Sequence, residues 1–301
     1  MAEIQELKNH IRSVRDTKKI TNAMYFISST KLRKARYDLD TTRPFSDALK
    51  TEIKRVFRTV ENIDSIYFYP EDGRPFPEGP AACLLITADK GLAGDYNHKV
   101  IQEALRLREE EPNLRLFVAG EVGRHFFSEH GIEYEDSFRY SDQRPTLQLA
   151  REICAELLPP YREGKWNRIF IIYTDMKNSL TQIVRSERLL PFHHDRFIVP
   201  DYERAVNEPI EFVPSVNAVV DAVIPCYLVG YIYSALIDSY CSEQNARMLS
   251  MRTANDNADK ILQELALQYN RARQGRITQE ITEIAAGAKA QKQKREEEER
   301  I

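Results

Sequence analysis

The chain has 301 residues, of which 42% are hydrophobic and 30% are charged. This apolar content is enough for one or two domains with buried cores, and the charged fraction is higher than the usual quarter. The net charge of −3 gives no overall attraction to nucleic acid or to a membrane surface. Residues 1–60 nevertheless contain fourteen Lys or Arg against seven Asp or Glu, so a local basic surface is expected, with acidic partners or lipid head groups as plausible ligands.

The cysteines and the N-terminus bear on the compartment. The four cysteines lie far apart and form no CxxC or zinc-type pair, which predicts four reduced thiols in a cytosolic-type compartment. No apolar run reaches the roughly 20 residues of a spanning helix. The first residues include Glu3 and Glu6, unlike a signal or transit peptide. Any membrane contact is therefore expected to occur through partners.

The first predicted element is a long helix. Apolar residues recur at intervals of three and four from residue 4 to residue 39, and Lys18, Thr21 and Ser28 fall on the same seam. Pro44 is a point where this helix could bend, and the pattern then resumes weakly to about residue 60. The apolar seam consists of Ile4, Leu7, Ile11, Val14, Tyr25, Leu32, Ala35 and Leu39. Such a stripe is typical of a coiled coil.

The middle of the chain alternates between strand and helix patterns. Residues 70–80 contain four Pro and two Gly and are predicted to form a loop at a domain boundary. The strands are predicted at residues 83–88, 114–119, 168–173 and 181–190, and the helices at residues 96–110, 121–130 and 147–161. The fourth strand alternates in polarity and could be antiparallel. This order predicts a small, largely parallel α/β layer of Rossmann-like type.

The C-terminal part is predicted to be helical again. Residues 191–214 read as irregular, Pro214 starts a helix, and Pro225 is expected to kink or restart it. Residues 226–300 contain no proline, and about 65 helical residues would extend roughly 100 Å. Their stripe is expected at Met251, Ala254, Ala258, Ile261 and Leu265. A helix of this length needs a partner, and the N-terminal helix is the only candidate.

These elements together predict a mixed α/β fold class. A long antiparallel coiled coil is formed by an N-terminal helix at residues 1–60 and a C-terminal helix at residues 214–301, and a small α/β domain at residues 81–192 is inserted between them.

The turn at residues 89–95 follows a strand and precedes a helix. Glycine-rich turns in this position often bind phosphate, but this one satisfies neither the GxGxxG nor the GxxxxGK[ST] pattern. We therefore favour a tight connection that requires unusual backbone angles, with a phosphate site as the alternative.

The sequence contains no recognisable catalytic or metal-binding constellation. His193 and His194 are adjacent and point apart on any regular element, and the other four histidines lie at no metal-ligand spacing. Neither GxSxG nor HExxH is present. We therefore predict no catalytic residue, no cofactor and no metal.

Two terminal stretches carry a more specific signal. Residues 11–24, IRSVRDTKKITNAM, are followed by the basic residues 31–35, and residues 242–248 read SEQNARM. Near the C-terminus, residues 277–288 read ITQEITEIAAGA. Together these segments resemble the gamma subunit of F-type ATP synthases. Residues 87–97 resemble that family's glycine-rich segment as well, with departures at Ala93, Asp95 and Tyr96.

The resemblance implies a non-catalytic rotor shaft that couples proton-driven rotation of a membrane c-ring to ATP synthesis in the catalytic ring. Its partners would be the alpha and beta subunits of the catalytic ring, the epsilon subunit and the membrane c-ring, on the cytoplasmic face of a bacterial plasma membrane. No nucleic acid is implied. The family's contacts with the catalytic subunits carry over to Met24, Arg247, Arg273, Gln274, Thr278, Glu280, Thr282 and Glu283.

Two other functions stay open from the residues alone. The chain could be a small α/β nucleotide-binding protein with helical arms, which would bind ATP or a dinucleotide. It could also be a coiled-coil scaffold or nucleic-acid-binding protein that uses the basic N-terminal helix, with steeply salt-dependent DNA binding.

Overall fold

A computed structural model describes residues 2–59, 65–68, 79–141, 145–176, 182–192 and 212–298. The chain divides into two compact units. The helical unit comprises Met1–Phe26 and Ser250–Ile301, and the sheet unit comprises Ile27–Leu249. In chain order the elements are α1 (Ala2–Thr59), β1 (Ala81–Ile86), α2 (Tyr96–Glu110), β2 (Leu114–Ala119), α3 (Glu121–Glu129), α4 (Leu147–Arg162), β3 (Arg168–Met176), β4 (Gln182–Leu190) and α5 (Val216–Glu298).

The sheet unit is built on a four-stranded sheet in the order β2-β1-β3-β4. Strand β1 pairs in parallel with both β2 and β3, whereas β4 is antiparallel to β3. The predicted largely parallel sheet and its antiparallel fourth strand are thus confirmed. The strand sequences agree with this arrangement because every residue of β1 is buried, as expected for a strand covered on both faces.

Alternate residues of β1 point into two different cores. Ala82, Leu84 and Ile86 belong to a core that includes residues of α4 and of the first part of α5. Cys83 and Leu85 belong to a second core, which α2 and α3 complete. The two-residue period of the strand therefore places helices on both faces of the sheet.

Helix α5 begins two residues after Pro214, as predicted. The Ser215 hydroxyl accepts a hydrogen bond from the backbone N–H of Ala218 at 3.2 Å and so caps the first turn. The helix continues without interruption through Pro225, so the predicted restart is wrong. Burial of the flanking residues Ile224 and Tyr227 in the sheet core offsets the lost backbone hydrogen bond.

One stretch of α5 is apolar and long enough to cross a membrane by length and composition, in contrast to the sequence-based expectation. Half of that stretch is buried inside the protein. Residues such as Leu228, Ile232 and Leu236 pack in the sheet core, and this packing accounts for the apolar composition without a bilayer.

The helical unit consists of antiparallel segments of α1 and α5. The Lys8 ammonium lies 5.9 Å from the centroid of the Tyr269 ring. Lys18 forms an ion pair with Asp259, and the Thr21 hydroxyl is 2.5 Å from Oδ1 of Asn255. The partner number falls as the α1 number rises, so the helices run in opposite directions. The polar residues Lys18 and Thr21 therefore lie on the seam and find polar partners there.

Within the sheet unit the same stripe of α1 is more deeply buried. Leu32, Ala35 and Leu39 pack in one cluster with Ile237, Tyr240 and Cys241 of α5, and Ser28 is fully buried. The predicted antiparallel coiled coil and the mixed α/β fold class are thus confirmed. The division at residues 1–60, 81–192 and 214–301 stays a prediction.

One residue of the predicted α5 stripe was wrong. Ile261 is 41% exposed, whereas Leu262 is partly buried. Alternating steps of four and three from Met251 lead through Ala258 to Leu262 and Leu265, and Ile261 falls just beside this heptad seam.

Some sequence-based predictions lie outside the described residues. They include most of the loop at residues 70–80, residue 181 of the fourth strand, the irregular stretch at residues 193–211, and His193 and His194.

Candidate partner-contact surfaces

The C-terminal part of α5 presents an exposed surface in the helical unit. Every described side chain from Arg273 to Gln291 is exposed. This segment holds six of the residues predicted to contact the catalytic subunits, namely Arg273, Gln274, Thr278, Glu280, Thr282 and Glu283.

These six residues fall on two faces of the helix. With about 100° per residue, Gln274, Thr278 and Thr282 form one polar row, and Arg273, Glu280 and Glu283 form a charged row on the opposite side. The Thr278 and Thr282 hydroxyls donate to the carbonyls of Gln274 and Thr278 at 2.9 and 2.8 Å. In the charged row, Glu280 accepts from Arg276 at 2.8 Å and Glu283 from Gln279 at 2.9 Å.

An apolar stripe lies between the two polar rows. Ile277, Ile281 and Ile284 are 46%, 61% and 73% exposed. They are spaced by four and three residues and therefore share one helix face. Sequence reasoning missed these isoleucines, although their spacing was a readable signal. An exposed apolar stripe bordered by polar side chains is the anatomy of a protein interface.

Met24 lies beside the seam in the other helix of this unit. It is half-buried, and Ile20, one turn earlier, is 61% exposed. This partial exposure is that of a position beside the seam, and Ile20 extends the apolar surface along the same face of α1.

Arg247, in the sheet unit, has different surroundings from the other predicted contact residues. Its side chain is buried at 9% exposure and forms an ion pair with Glu243, whose side chain is 4% exposed. The guanidinium also donates to the backbone carbonyl of Lys90 at 2.7 Å and to that of Gly91 at 3.1 and 3.2 Å. The structure therefore joins Arg247 to the glycine-rich turn and removes its side chain from the surface.

The turn itself has the unusual backbone angles that were predicted. Leu92 has a φ of 63° and Gly94 a φ of 60°. The Asp89 carboxylate accepts hydrogen bonds from the backbone N–H of Glu121 at 3.2 Å and from the Ser141 hydroxyl. Because carbonyl oxygens of this turn face a guanidinium, the geometry suits a cation, whereas a phosphate cradle requires N–H groups to point inward.

The cysteines offer little nucleophilic chemistry. All four are free thiols, and only Cys226 is exposed. Burial raises the pKa of Cys154 and of Cys241 to about 12, and it raises the pKa of Cys83 as well. These three groups are therefore protonated thiols at neutral pH. In the described part of the chain, no three His, Cys, Asp or Glu side chains come together as a metal site.

Comparison with known proteins gives the family. The family model described as ATP synthase matches residues 3–291. The chain is 40% identical to the ATP synthase gamma chain of Caldanaerobacter subterraneus subsp. tengcongensis over 293 residues, which cover 94% of this chain and 98% of that relative. The chain belongs to the ATP synthase gamma chain family. The resemblance predicted from the two terminal stretches is thus confirmed.

Other similar proteins extend this finding. The sodium ion specific ATP synthase gamma chain of Acetobacterium woodii is 32% identical over 305 residues, covering 96% of this chain and 99% of that one. A chain of the Euglena gracilis mitochondrial ATP synthase superposes with a TM-score of 0.65 at 16% identity, covering 96% of this chain and 94% of that one. At this identity the superposition establishes a shared fold.

Proposed function

We propose that this chain is the central rotor shaft of an F-type ATP synthase. It would couple rotation of an ion-driven c-ring to ATP synthesis by a ring of alpha and beta subunits, and it would itself be non-catalytic. Its other partner would be the epsilon subunit. The complex would lie on the cytoplasmic face of a bacterial plasma membrane, and this chain would contact the membrane only through its partners.

The observation that carries the proposal is the exposed end of α5. Three isoleucines stand on one face with polar rows on both sides, and no described side chain from Arg273 to Gln291 is buried. Unpartnered apolar side chains of this size favour an enclosing protein partner. Threonine, amide and charged groups beside them supply hydrogen bonds that can break and re-form as the shaft turns.

The proposed contacts are direct in the helical unit and indirect in the sheet unit. Met24 and the six residues of α5 would touch the catalytic ring directly. Arg247 would act on that ring through the glycine-rich turn, since its guanidinium is occupied by Glu243 and by the carbonyls of Lys90 and Gly91.

Co-purification tests this function. The tagged chain, isolated from its native membranes, should bring alpha, beta, epsilon and c subunits with it. Ile281→Asp should weaken this assembly because it places a carboxylate on the apolar stripe. Ile261→Asp is the matched control, since it introduces the same charge at another exposed isoleucine of α5.

Two results would contradict the proposal. Micromolar ATP binding by the isolated chain that depends on Lys90 and the glycine-rich turn would favour the nucleotide-binding alternative. Equal assembly of the Ile281→Asp and Ile261→Asp variants would show that the isoleucine stripe is not an interface.

A further inference from the structure

Helix α5 crosses the carboxyl edge of the sheet at the place where open α/β sheets hold their ligands. Strand β1 lies between β2 and β3, and it connects to β2 through α2 on one face, whereas β2 connects to β3 through α4 on the other. Such a reversal of strand order creates a crevice at the carboxyl ends of β1 and β3. In this chain α5 lies against that edge, and its residues 239–247 are all buried.

Two serines of α5 take the place of a neighbouring strand beside the end of β3. The ladder between β1 and β3 ends at Leu85 and Ile172, so Thr174 lies beyond it. The backbone N–H of Thr174 donates to Oγ of Ser239, and its carbonyl accepts from the Ser242 hydroxyl, both at 3.2 Å. Both serines are fully buried. Loss of the two hydroxyls would therefore leave a buried donor and a buried acceptor of the strand unpaired.

Further contacts fix the same stretch of α5 from other directions. Gln182, the first residue of β4, donates from Nε2 to the Ser242 carbonyl at 2.9 Å. Ala246 shares a helix face with the two serines and packs with Ala88 and Ala93, which lie after β1. The middle of α5 is thus held by β1, β3 and β4 at one edge of the sheet.

We propose that Ser239 and Ser242 are positioning residues that lock α5 against rotation about its own axis relative to the sheet. Apolar packing is non-directional, whereas a hydrogen bond depends on distance and angle. A serine oxygen lies about 5 Å from the helix axis, so a turn of about 20° would move it by about 1.7 Å and break a bond of this length. The two hydroxyls therefore define one angular setting of α5.

The lock has a consequence for a rotor, and this step rests on the proposed function. Torque applied to the sheet unit reaches α5 without slip only if the helix cannot turn against the sheet. Ser239 and Ser242 would then keep the sheet and this part of α5 moving as one body. The crevice that binds ligands in other sheets of this type would serve here to hold the shaft.

Distances between two spin labels in the purified full-length chain test the lock directly. Labels at Leu249→Cys and His125→Cys, both exposed positions of the sheet unit, report the setting of α5 against the sheet. Cys226→Ser removes the exposed native thiol. The lock variant, Ser239→Ala with Ser242→Ala, should broaden the distance distribution at least about twofold, because apolar packing alone does not fix the angle.

Two controls separate the lock from stability and from the loss of hydroxyls as such. Leu157→Ala truncates a core residue of α4 and lowers the urea midpoint while keeping both hydroxyls, so its distribution should stay narrow. Ser128→Ala with Ser137→Ala removes two exposed hydroxyls of the sheet unit and should match the wild type. If circular dichroism shows that the lock variant does not fold, Ser242→Ala alone takes its place and should still broaden the distribution.

Equal widths in the lock variant and in Leu157→Ala overturn the lock. In the assembled complex, the lock variant should pump fewer ions per ATP hydrolysed than Leu157→Ala does. Broadening without this loss of coupling means that the lock transmits no torque, and that part of the inference is then wrong. If the wild-type chain does not co-purify with alpha and beta subunits, the proposed function is wrong, and the label distances still decide whether the lock exists.

Discussion

At the scale of single residues, Arg247 is a buried charge of the sheet unit. It fills its donors with Glu243 and with two carbonyls of the glycine-rich turn. The side chain therefore ties the middle of α5 to the connection between β1 and α2. The resemblance indicated that Arg247 matters, but only the structure shows that its guanidinium is bonded to groups of its own chain.

Arg247→Met should destabilise the sheet unit by about 3–5 kcal/mol, since it leaves the Glu243 carboxylate buried without a partner. Urea unfolding followed by the fluorescence of Trp166, the chain's single tryptophan, measures this change. Arg276→Met is the control. It removes an exposed i,i+4 pair with Glu280 and should cost no more than about 0.5 kcal/mol. Equal shifts in the two variants would contradict the assigned role of Arg247.

At Gly120, the backbone conformation and the surroundings both exclude a side chain. Its φ is 96°, and an added Cβ would lie 2.1 Å from the carbonyl oxygen of Thr87. Gly120→Ala should therefore cost about 3 kcal/mol, as the sum of left-handed strain and a backbone clash. At Gly131 the φ is 63° and the space around an added Cβ is open, so Gly131→Ala introduces backbone strain without a clash. It should lower the free energy of unfolding by about 1 kcal/mol. Urea denaturation of both variants tests the difference, and equal costs would mean that the backbone near Thr87 gives way.

Met24→Lys separates assembly from coupling. Lysine forms helices well and can keep its ammonium in water from a half-buried position, so the free chain should keep its stability. Inside the proposed ring, the ammonium could bind a carboxylate of one catalytic subunit and hold one rotor position too tightly. We expect ATP hydrolysis to be largely kept and ATP-driven pumping to be reduced. Equal loss of both activities would indicate misfolding, and no effect would make Met24 an ordinary surface methionine.

At the scale of elements, the spacing of apolar residues predicts the buried seam positions of α1 more accurately than those of α5. The seam of α1 steps by three and four from Ile4 to Leu39, and each predicted position is buried or half-buried. In α5 the same rule holds, but Ile261 and Leu262 are adjacent apolar residues, and the sequence alone suggested the wrong one. The burial of Met251, Ala258 and Leu265 fixes the frame and assigns Leu262 to the seam.

This frame makes a paired prediction. Leu265→Asp should separate the helices of the helical unit, because a carboxylate on a seam position that is 6% exposed must be desolvated or must disrupt the packing. Ile261→Asp, one turn away and 41% exposed, should leave them paired. Amide hydrogen exchange in residues 2–26 and 250–291 distinguishes the two outcomes. Equal protection in both variants would show that the seam is wrongly assigned.

At the scale of the whole molecule, the chemistry of the chain is that of binding surfaces. The glycine-rich turn directs carbonyl oxygens at Arg247, and three of the four thiols are held protonated by burial. The exposed features of the described residues include the isoleucine stripe of α5 with its polar borders and a row of cations on α1. This distribution agrees with a subunit that transmits force to partners.

The isolated chain should therefore hydrolyse no ATP above the buffer rate and should bind ATP poorly. A coupled assay and titration calorimetry on the purified full-length chain measure both properties. If binding in the micromolar range were found, Lys90→Ala would test whether the turn is responsible. Loss of binding in that variant would overturn the interpretation of the turn.

The sequence by itself determined the fold class, the family, the α1 seam and the tight turn at residues 89–95. These features follow from local rules, namely side-chain periodicity, turn residues and motif identity, which are readable along the chain. The same spacing rule would have revealed the stripe of Ile277, Ile281 and Ile284, but its exposure depends on what covers it.

Only the tertiary structure decided which neighbours remote residues meet. Arg247 and Lys90 are 157 positions apart, and no periodicity predicts that a guanidinium from one would bind the carbonyl of the other. Likewise, only the folded helices show that the row of cations on α1, from Lys8 to Lys19, faces Ala266 and Tyr269 of α5 and has Asp16 beside it. Burial, charge pairing and exposure depend on contacts between distant segments, and those contacts exist only once the chain has folded.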